Sequence, residues 1–315
     1  LFADIWLAHG DEFLTRITGA TPLDSTDPLN RALVEILVRA RRSPEIGEVV
    51  IPQIQRWWSH AHESGQLGEL AAAWLVGNRL GMLVTEPIDP AAQSARIVEL
   101  FLGDARITAP RATPLTGKAH EPMLSSPRSV DASVEAQLLN SAITVIGNSG
   151  VAASSLTRIA RHANVTSGSV YPRFSNIHEL VMESFHFAME SVTSENFGLI
   201  NSTGFSPEEF GAFVRAGLAP TRRSWRDYRV EVHIAARHDP ELAASMRETL
   251  HRTNARVVQG LTQIPGNAES HSAIAYLVHT IGIGLAILLN LGVPVDTLDH
   301  RVLTREVVAA MSDRA

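Results

Sequence analysis

Histidines are the side chains whose type and spacing come closest to a catalytic or metal-binding arrangement. His60 and His62 stand two residues apart on a predicted helix and face different ways, so they are poor joint ligands. Neither this pair nor His233 and His238 has a carboxylate pair at a helical ligand spacing. The sequence contains no cysteine and no glycine-rich phosphate loop, which excludes thiolate metal sites and cysteine nucleophiles. We therefore expect a protein that is not an enzyme and needs neither a metal ion nor a cofactor.

A second group of polar residues is spaced to cap two short helices on either side of a tight turn. Ser154 is predicted to cap a helix at 155–162, and Thr166 to cap a second one at 167–173. Asn164 lies between them, and asparagine tolerates the left-handed backbone that such a corner needs. The apolar side chains spaced to hold the two helices together are Ile159, Ala160, Val165, Val170 and Phe174. This pattern predicts a helix-turn-helix.

Apolar residues recur at helical spacing along most of the chain, and no convincing run alternates with the period of a strand. The predicted fold class is therefore all-α. The predicted helices cover 1–18, 28–42, 45–64, 67–85, 90–104, 133–147, 154–162, 167–173, 175–195, 206–219, 222–238, 240–263, 269–291 and 296–312. Residues 108–131 lack an apolar face and are rich in proline, serine and threonine, which is typical of an extended linker.

Composition and charge narrow the classes of function. The chain is 45% apolar and 19% charged, which is typical of a folded protein. Its 27 basic and 33 acidic residues give a net charge of −6, so any contact with DNA must be local. Asp4, Asp11 and Glu12 interrupt the stretch where a secretory signal would be apolar, and the absence of cysteine permits a reducing compartment. We expect a cytoplasmic protein.

The helix predicted at 269–291 is apolar enough to raise the question of a membrane span. It contains His271, His279 and Asn290, which favours burial in a helical bundle between two halves of the protein. No membrane is expected among its partners.

Two stretches of the sequence are similar to each other, which indicates an internal repeat. Residues 34–46 and 230–242 lie 196 positions apart, and six of their thirteen positions are identical. Each ends one helix and starts the next in the same way, with Ser43 or Asp239 as the N-cap, then proline and glutamate. A second similarity pairs Ala73-Trp74-Leu75-Val76 with Ala275-Tyr276-Leu277-Val278, each opening a long apolar helix.

The stretch from Ser154 to Phe174, followed by Glu179 and Leu180, resembles the DNA-binding domain of TetR-family repressors. The resemblance extends over 138–185. It implies a helix-turn-helix that reads the major groove, a small-molecule pocket in the helical core, and release of DNA when the pocket fills.

The resemblance also implies which residues contact DNA. Amides and hydroxyls at a helix N-terminus suit phosphates and base edges, and Tyr171 and Arg173 can donate to phosphate. The implied contact residues are Ser154, Thr166, Ser167, Gly168, Ser169, Tyr171, Pro172 and Arg173. Pro172 departs from the family pattern, as does Ile177 where lysine is usual, and 133–184 is formally neutral. The alternative is a dimerisation or scaffold protein of the same fold that has lost effective DNA binding.

The order of the parts predicts a tandem form of this family. In this form, 1–107 and 196–315 are ligand-binding and dimerisation domains, 108–131 is a linker, and 132–195 is the DNA-binding domain. We expect the two halves to pack as an intramolecular pseudo-dimer, with further association into a homodimer left open. The helix at 1–18 resembles the one that leaves the DNA-binding domain, so a first helix-turn-helix is expected before Leu1.

The implied partners are double-stranded operator DNA and a small-molecule effector, and the predicted function is a repressor released by that effector. An apolar or amphipathic effector suits walls of aromatic and methionine side chains, although such side chains more often line plain cores. The candidate pocket residues are Trp57, Trp58, Met82, Phe101, Phe213, Trp225, Tyr228, Met246, Tyr276 and His279.

Overall fold

Helices are the regular elements of the chain in its computed structural model, which describes residues 1–19, 23–63, 68–85, 133–203, 206–262 and 266–301 together with 304 and 307. The α-helices are α1 (Phe2–Thr18), α2 (Pro28–Ala40), α3 (Pro44–Glu63), α4 (Glu69–Thr85), α5 (Val134–Ser149), α6 (Leu156–His162), α7 (Ile177–Thr203), α8 (Pro207–Leu218), α9 (Arg223–Ala236), α10 (Pro240–Leu261) and α11 (Ala268–Asn290). Three short 3₁₀ segments, Ser167–Ser169, Pro220–Arg222 and Val295–Thr297, complete the described elements. No strand occurs within these ranges, and the all-α prediction is confirmed.

Local capping explains where several helices begin. The Asp239 side chain accepts a hydrogen bond from the backbone N–H of Leu242, and Pro240 takes the first helical position of α10. Asp27 does the same for α2 through the N–H of Leu29. The predicted N-cap at Asp239 is thereby confirmed. The helix predicted at 90–104 and the linker predicted at 108–131 lie outside the described residues.

Buried apolar side chains form two cores. The first core joins α1 to α4 with α11, and its largest fully buried side chains include Trp6 and Trp74. The second core joins α5, α6 and α7 with α9 and α10, around Phe185 and Tyr228. Both cores contain side chains of α9, so this helix links the helix-turn-helix region to the first core.

α4 and α11 cross antiparallel with their backbones in contact. A Cβ atom on Gly284 would lie 1.7 Å from the carbonyl oxygen of Gly77, and one on Gly81 would lie 1.9 Å from that of Thr280. These glycines let the two helices approach more closely than any side chain would permit. α11 is long and apolar enough to cross a membrane, but 78% of its apolar window is buried inside the protein. Its packing is that of a core helix.

The two similar stretches, 34–46 and 230–242, contact each other through matched pairs of residues. Oε1 of Glu35 lies 3.5 Å from Nη1 of Arg237 and 2.9 Å from Nε2 of His238. The counterpart of Glu35, Glu231, lies 4.0 Å from Arg41 and 2.8 Å from Arg42. Each contact that Glu35 makes with the second stretch therefore has an equivalent contact that Glu231 makes with the first stretch. Equivalent residues differ by 196 positions. Reciprocal contacts of this kind are what a two-fold axis produces.

Candidate nucleic-acid interface

The helix-turn-helix consists of α6 and the segment 167–173, whose apolar side chains share one core with α5. Ser133 caps α5, since its hydroxyl accepts from the N–H of Ala136 at 3.2 Å. Asn164 adopts φ of 57°, the left-handed conformation that the sequence predicted for the corner. The N–H of Val165 then bonds back to the carbonyl of Ala160 at 3.1 Å. Ile159 and Ala160 are almost completely buried, as predicted for the contact between the two short elements.

The predicted cap of α6 is wrong by one residue. Ser155, not Ser154, accepts from the N–H of Arg158, at 3.2 Å. Ser154 instead donates to the carbonyl of Gly150 at 2.8 Å. Gly150 has φ of 79° at the end of α5, and this bond closes the loop between α5 and α6. Ser154 is therefore turned back towards α5 and is only partly exposed.

The predicted second helix at 167–173 is also corrected. Only Ser167–Ser169 is helical, as one 3₁₀ turn, and the chain continues to Arg173 in turns. Serine and glycine form helices weakly, and Pro172 lacks the N–H that an α-helix would bond to Gly168. Thr166 stands at the N-cap position without capping, because its hydroxyl pairs with that of Ser169 at 2.8 Å.

The predicted DNA-contact residues nevertheless share the outer surface of this unit. Those exposed are Thr166, Ser167, Gly168, Tyr171, Pro172 and Arg173, while Ser154 and Ser169 are partly buried. Tyr171 is 60% exposed, which is unusual for a large aromatic side chain in this protein. Arg173 donates to the carbonyl of Ser169 at 2.7 Å, so in the unbound state it braces the turn. Their contacts with DNA stay a prediction.

Two exposed arginines of α6 were missed as contact candidates. Arg158 and Arg161 are exposed on the helix that precedes the corner. Arg158 donates to the carbonyl of Ala153 at 3.1 Å, beside the start of α6. With Arg173 they supply the three positive side chains of 133–184. The signal in the sequence was the small number of positive side chains in 133–184, of which these two are the pair not named as contact candidates.

The end of α7 nearest the turn is fixed by reciprocal hydrogen bonds. The Asn176 side chain accepts from the N–H of Glu179 at 2.9 Å, and Glu179 accepts from the N–H of Ser175 at 2.7 Å. Hydrogen bonds from Ser175 lower the pKa of the Glu179 carboxyl. Ile177, where the family resemblance led us to expect lysine, is partly buried against the apolar core of the unit.

Two arginines that directly follow α2 bind the C-terminal end of α5; we call Arg41 and Arg42 the arginine clamp. Arg41 donates to the carbonyl of Gly147, and Arg42 donates to that of Ser149 at 2.7 Å. Carbonyls at a helix C-terminus lack intrahelical partners and attract cations. The clamp therefore ties the first part of the chain directly to the helix-turn-helix.

Two carboxylates of α9 form ion pairs with the two arginines of the clamp. Asp227 lies 3.1 Å from Arg41, and Glu231 lies 2.8 Å from Arg42, with both carboxylates almost fully buried. Burial raises the pKa of the Glu231 carboxyl to about 7, while the charges of Arg42 and Arg41 act in the opposite direction. Sequence reasoning missed the clamp, although the adjacent arginines at the end of the repeated helix were a signal.

The predicted pocket residues lie in several places. Phe101 lies outside the described residues; Trp57, Met82 and Phe213 are partly buried, and Trp58, Trp225, Tyr228, Met246, Tyr276 and His279 are buried. Trp225, Tyr228 and Met246 share the second core, where the Tyr228 hydroxyl lies 2.6 Å from that of Ser184 on α7. Nε2 of His279 lies within hydrogen-bond distance of Nε2 of His233, and the Tyr276 hydroxyl lies 3.4 Å from that of Thr85. Their role as pocket walls stays a prediction.

Comparison with protein families identifies the helix-turn-helix. Residues 138–183 match the model for bacterial regulatory proteins of the tetR family. No curated protein matches the chain. The region built on α5 and α6 is thus a DNA-binding domain of tetR-family type, and it makes the chain a DNA-binding transcriptional regulator.

Proposed function

We propose that this protein is a ligand-responsive transcriptional repressor, in a tandem form whose two halves act as an intramolecular pseudo-dimer. The observation that carries the proposal is the tetR-family match over a helix-turn-helix whose turn exposes Tyr171 and Arg173. The domains would be 1–107 and 196–315 for effector binding and dimerisation, 108–131 as linker, and 132–195 for DNA. A small apolar or amphipathic effector would release the DNA.

The matched contacts support the pseudo-dimer. Glu35 pairs with Arg237 as Glu231 pairs with Arg41, and Glu35 pairs with His238 as Glu231 pairs with Arg42. An isologous interface between two identical subunits has this reciprocity. A gene duplication followed by fusion would place both subunits in one chain, with α4 and α11 as the central crossing.

The proposed DNA contact is local and electrostatic. Arg158, Arg161 and Arg173 would neutralise phosphates, while Ser167 and Gly168 would approach the major groove. The arginine clamp would set the orientation of this surface, because it bonds α5 to α9 and to the first half of the chain.

Selection of binding sites from a random DNA library by the full chain, followed by fluorescence anisotropy across a salt series, tests the proposal. Arg173→Ala should weaken binding to every sequence and lower the slope of log K against log salt by about one, as loss of one phosphate contact does. Arg252→Ala, on the exposed face of α10, is the matched control and should leave the slope unchanged.

The alternative is a scaffold protein of the same fold. It is favoured by the formal neutrality of 133–184, where three arginines face three glutamates. Two results together would favour this alternative over the repressor. The selection would enrich no DNA sequence, and Arg173→Ala would leave the salt dependence of DNA binding unchanged.

A further inference from the structure

Three nitrogen-bearing side chains meet in the core where α9 packs on α11. Arg229 and His233 stand one turn apart on α9, and His279 faces them from α11. The Nε2 atoms of His233 and His279 lie 3.3 Å apart, and Arg229 donates to the carbonyl of His279. We call these three residues the basic cluster.

Arg229 has no acidic partner among the described residues. Three carboxylates of the described core pair with other arginines: Asp227 with Arg41, Glu231 with Arg42 and Glu195 with Arg222. Burial lowers the pKa of the Arg229 guanidinium to about 9, and the charge of Arg222 acts in the same direction. A desolvated charge without a counter-charge is costly, so folded proteins normally pair it.

The protein makes room for this guanidinium. A Cβ atom on Gly282 would lie 3.0 Å from Nη2 of Arg229, so the glycine leaves the space that the guanidinium occupies. The Trp225 ring lies 5.9 Å from the guanidinium carbon on another side. Arg229 remains partly accessible, whereas His233 and His279 are buried. These contacts therefore hold the cation in position.

The histidines are neutral, and their hydrogen bonds define a direction. Nδ1 of His233 donates to the carbonyl of Arg229 at 2.7 Å, so its Nε2 accepts from Nε2–H of His279. Burial lowers the pKa of His233 to about 3 and that of His279 well below its usual value. The cluster thus carries one positive charge, on Arg229, beside the edge-packed ring of Phe185.

We propose that the basic cluster is the effector subsite and that it binds the carboxylate of a small organic acid with an apolar body. This inference rests on the proposed function and names the effector's chemical class. A guanidinium pairs with a carboxylate through two parallel hydrogen bonds. One cation among aromatic side chains suits a monoanion, while a phosphate dianion would call for more positive charge.

The subsite touches the helix that leaves the DNA-binding domain. Phe185 lies on α7, its ring centre 5.7 Å from that of His233, and the neighbouring Ser184 bonds to Tyr228. Leu180 and Val181, one turn earlier on α7, are fully buried in the core of the helix-turn-helix. A carboxylate bound at Arg229 would therefore lie one helical turn from His233, whose ring α7 contacts directly through Phe185.

Calorimetric titration of the full chain with octanoate, with shorter and longer straight-chain acids, and with benzoate tests the subsite without DNA. Each acid is compared with its neutral amide. We expect at least one acid to bind tenfold or more tightly than its amide, and Arg229→Met to abolish that preference. Arg229→Lys should retain it with weaker binding, and Arg252→Gln, the control, should match the wild type.

The unliganded variant provides a second readout. Arg229→Met removes a largely buried charge that has no acidic partner among the described residues, so its thermal midpoint should equal or exceed that of the wild type. A lower midpoint combined with equal binding of acids and amides would show that Arg229 is only structural and would overturn the inference. Inorganic phosphate binding in place of the acids would also overturn it. Operator binding is measured separately, so its failure would count against the repressor and not against the subsite.

Discussion

Thr280 donates a hydrogen bond to Asn78 at 2.7 Å, across 202 positions of sequence, inside the crossing of α4 and α11. These two residues stand at equivalent places, each five positions after the first residue of the similar stretches at 73–76 and 275–278. A residue that contacts its own counterpart lies close to a two-fold axis. In the proposed pseudo-dimer the two-fold axis would run through the helix crossing at this pair, and the matched ion pairs of Glu35 and Glu231 would lie about the same axis.

Because α4 and α11 approach so closely, one methyl group added at their contact should strongly lower the stability of the protein. Gly284→Ala places a Cβ atom against the carbonyl oxygen of Gly77, with no flexible side chain to yield. We expect the free energy of unfolding to fall by about 3 kcal/mol, the upper end of overpacking costs. Chemical denaturation measures it. Gly217→Ala on α8, where a Cβ atom would meet nothing within 4 Å, is the control and should be neutral or stabilising.

The corner of the helix-turn-helix predicts a preference at position 164. Asn164 has φ of 57°, a conformation that glycine adopts freely and β-branched residues resist. Asn164→Val should lower the free energy of unfolding by about 1–2 kcal/mol, whereas Asn164→Gly should stay within about 0.5 kcal/mol of the wild type. Equal stabilities of the two variants in urea titrations would contradict the strained corner.

The arginine clamp predicts long-range coupling. Arg42→Met leaves the buried Glu231 carboxylate without its closest partner, so stability should fall by about 3 kcal/mol. Amide hydrogen exchange at the end of α5 should rise, because the carbonyl of Ser149 loses its donor. Arg39→Met is the control, since Arg39 lies near the end of α2, over the Phe2 ring, and is not one of the two clamp residues. Unchanged exchange in Arg42→Met would show that the clamp does not hold α5.

A buried histidine predicts a pH dependence of stability. His300 accepts from Nε1–H of Trp74 at 2.9 Å and donates to the carbonyl of Val295 at 2.8 Å, so it is neutral when folded. Burial lowers its pKa from 6.5 to about 4. Below pH 6.5 the unfolded chain takes up a proton that the folded chain does not, and stability therefore falls as the pH drops towards 4.

Comparison of the wild type with His300→Gln isolates this contribution. Between pH 7 and pH 5 the wild type should lose about 2 kcal/mol more than the variant, which cannot take up the proton. Parallel pH profiles in denaturant titrations would mean that His300 is protonated in the folded protein as readily as in the unfolded one.

Sequence alone determined the features that depend on neighbours along the chain. The all-α class, the left-handed Asn164, the N-cap at Asp239 and the surface position of Arg173 follow from periodicity and local backbone preferences, which act over a few residues. The similar stretches at 34–46 and 230–242 were visible as well, because residue identity is read directly from the sequence.

Tertiary structure decided what depends on distant residues. Whether Ser154 or Ser155 caps α6 depended on the loop that Gly150 closes, and Pro172 limited the second element to a 3₁₀ turn. The arginine clamp joins residues more than one hundred positions apart, and which described carboxylates pair with which arginines is likewise decided between distant helices. Such pairings are set by the packing of whole helices, and helical periodicity identifies a buried face without naming its partner.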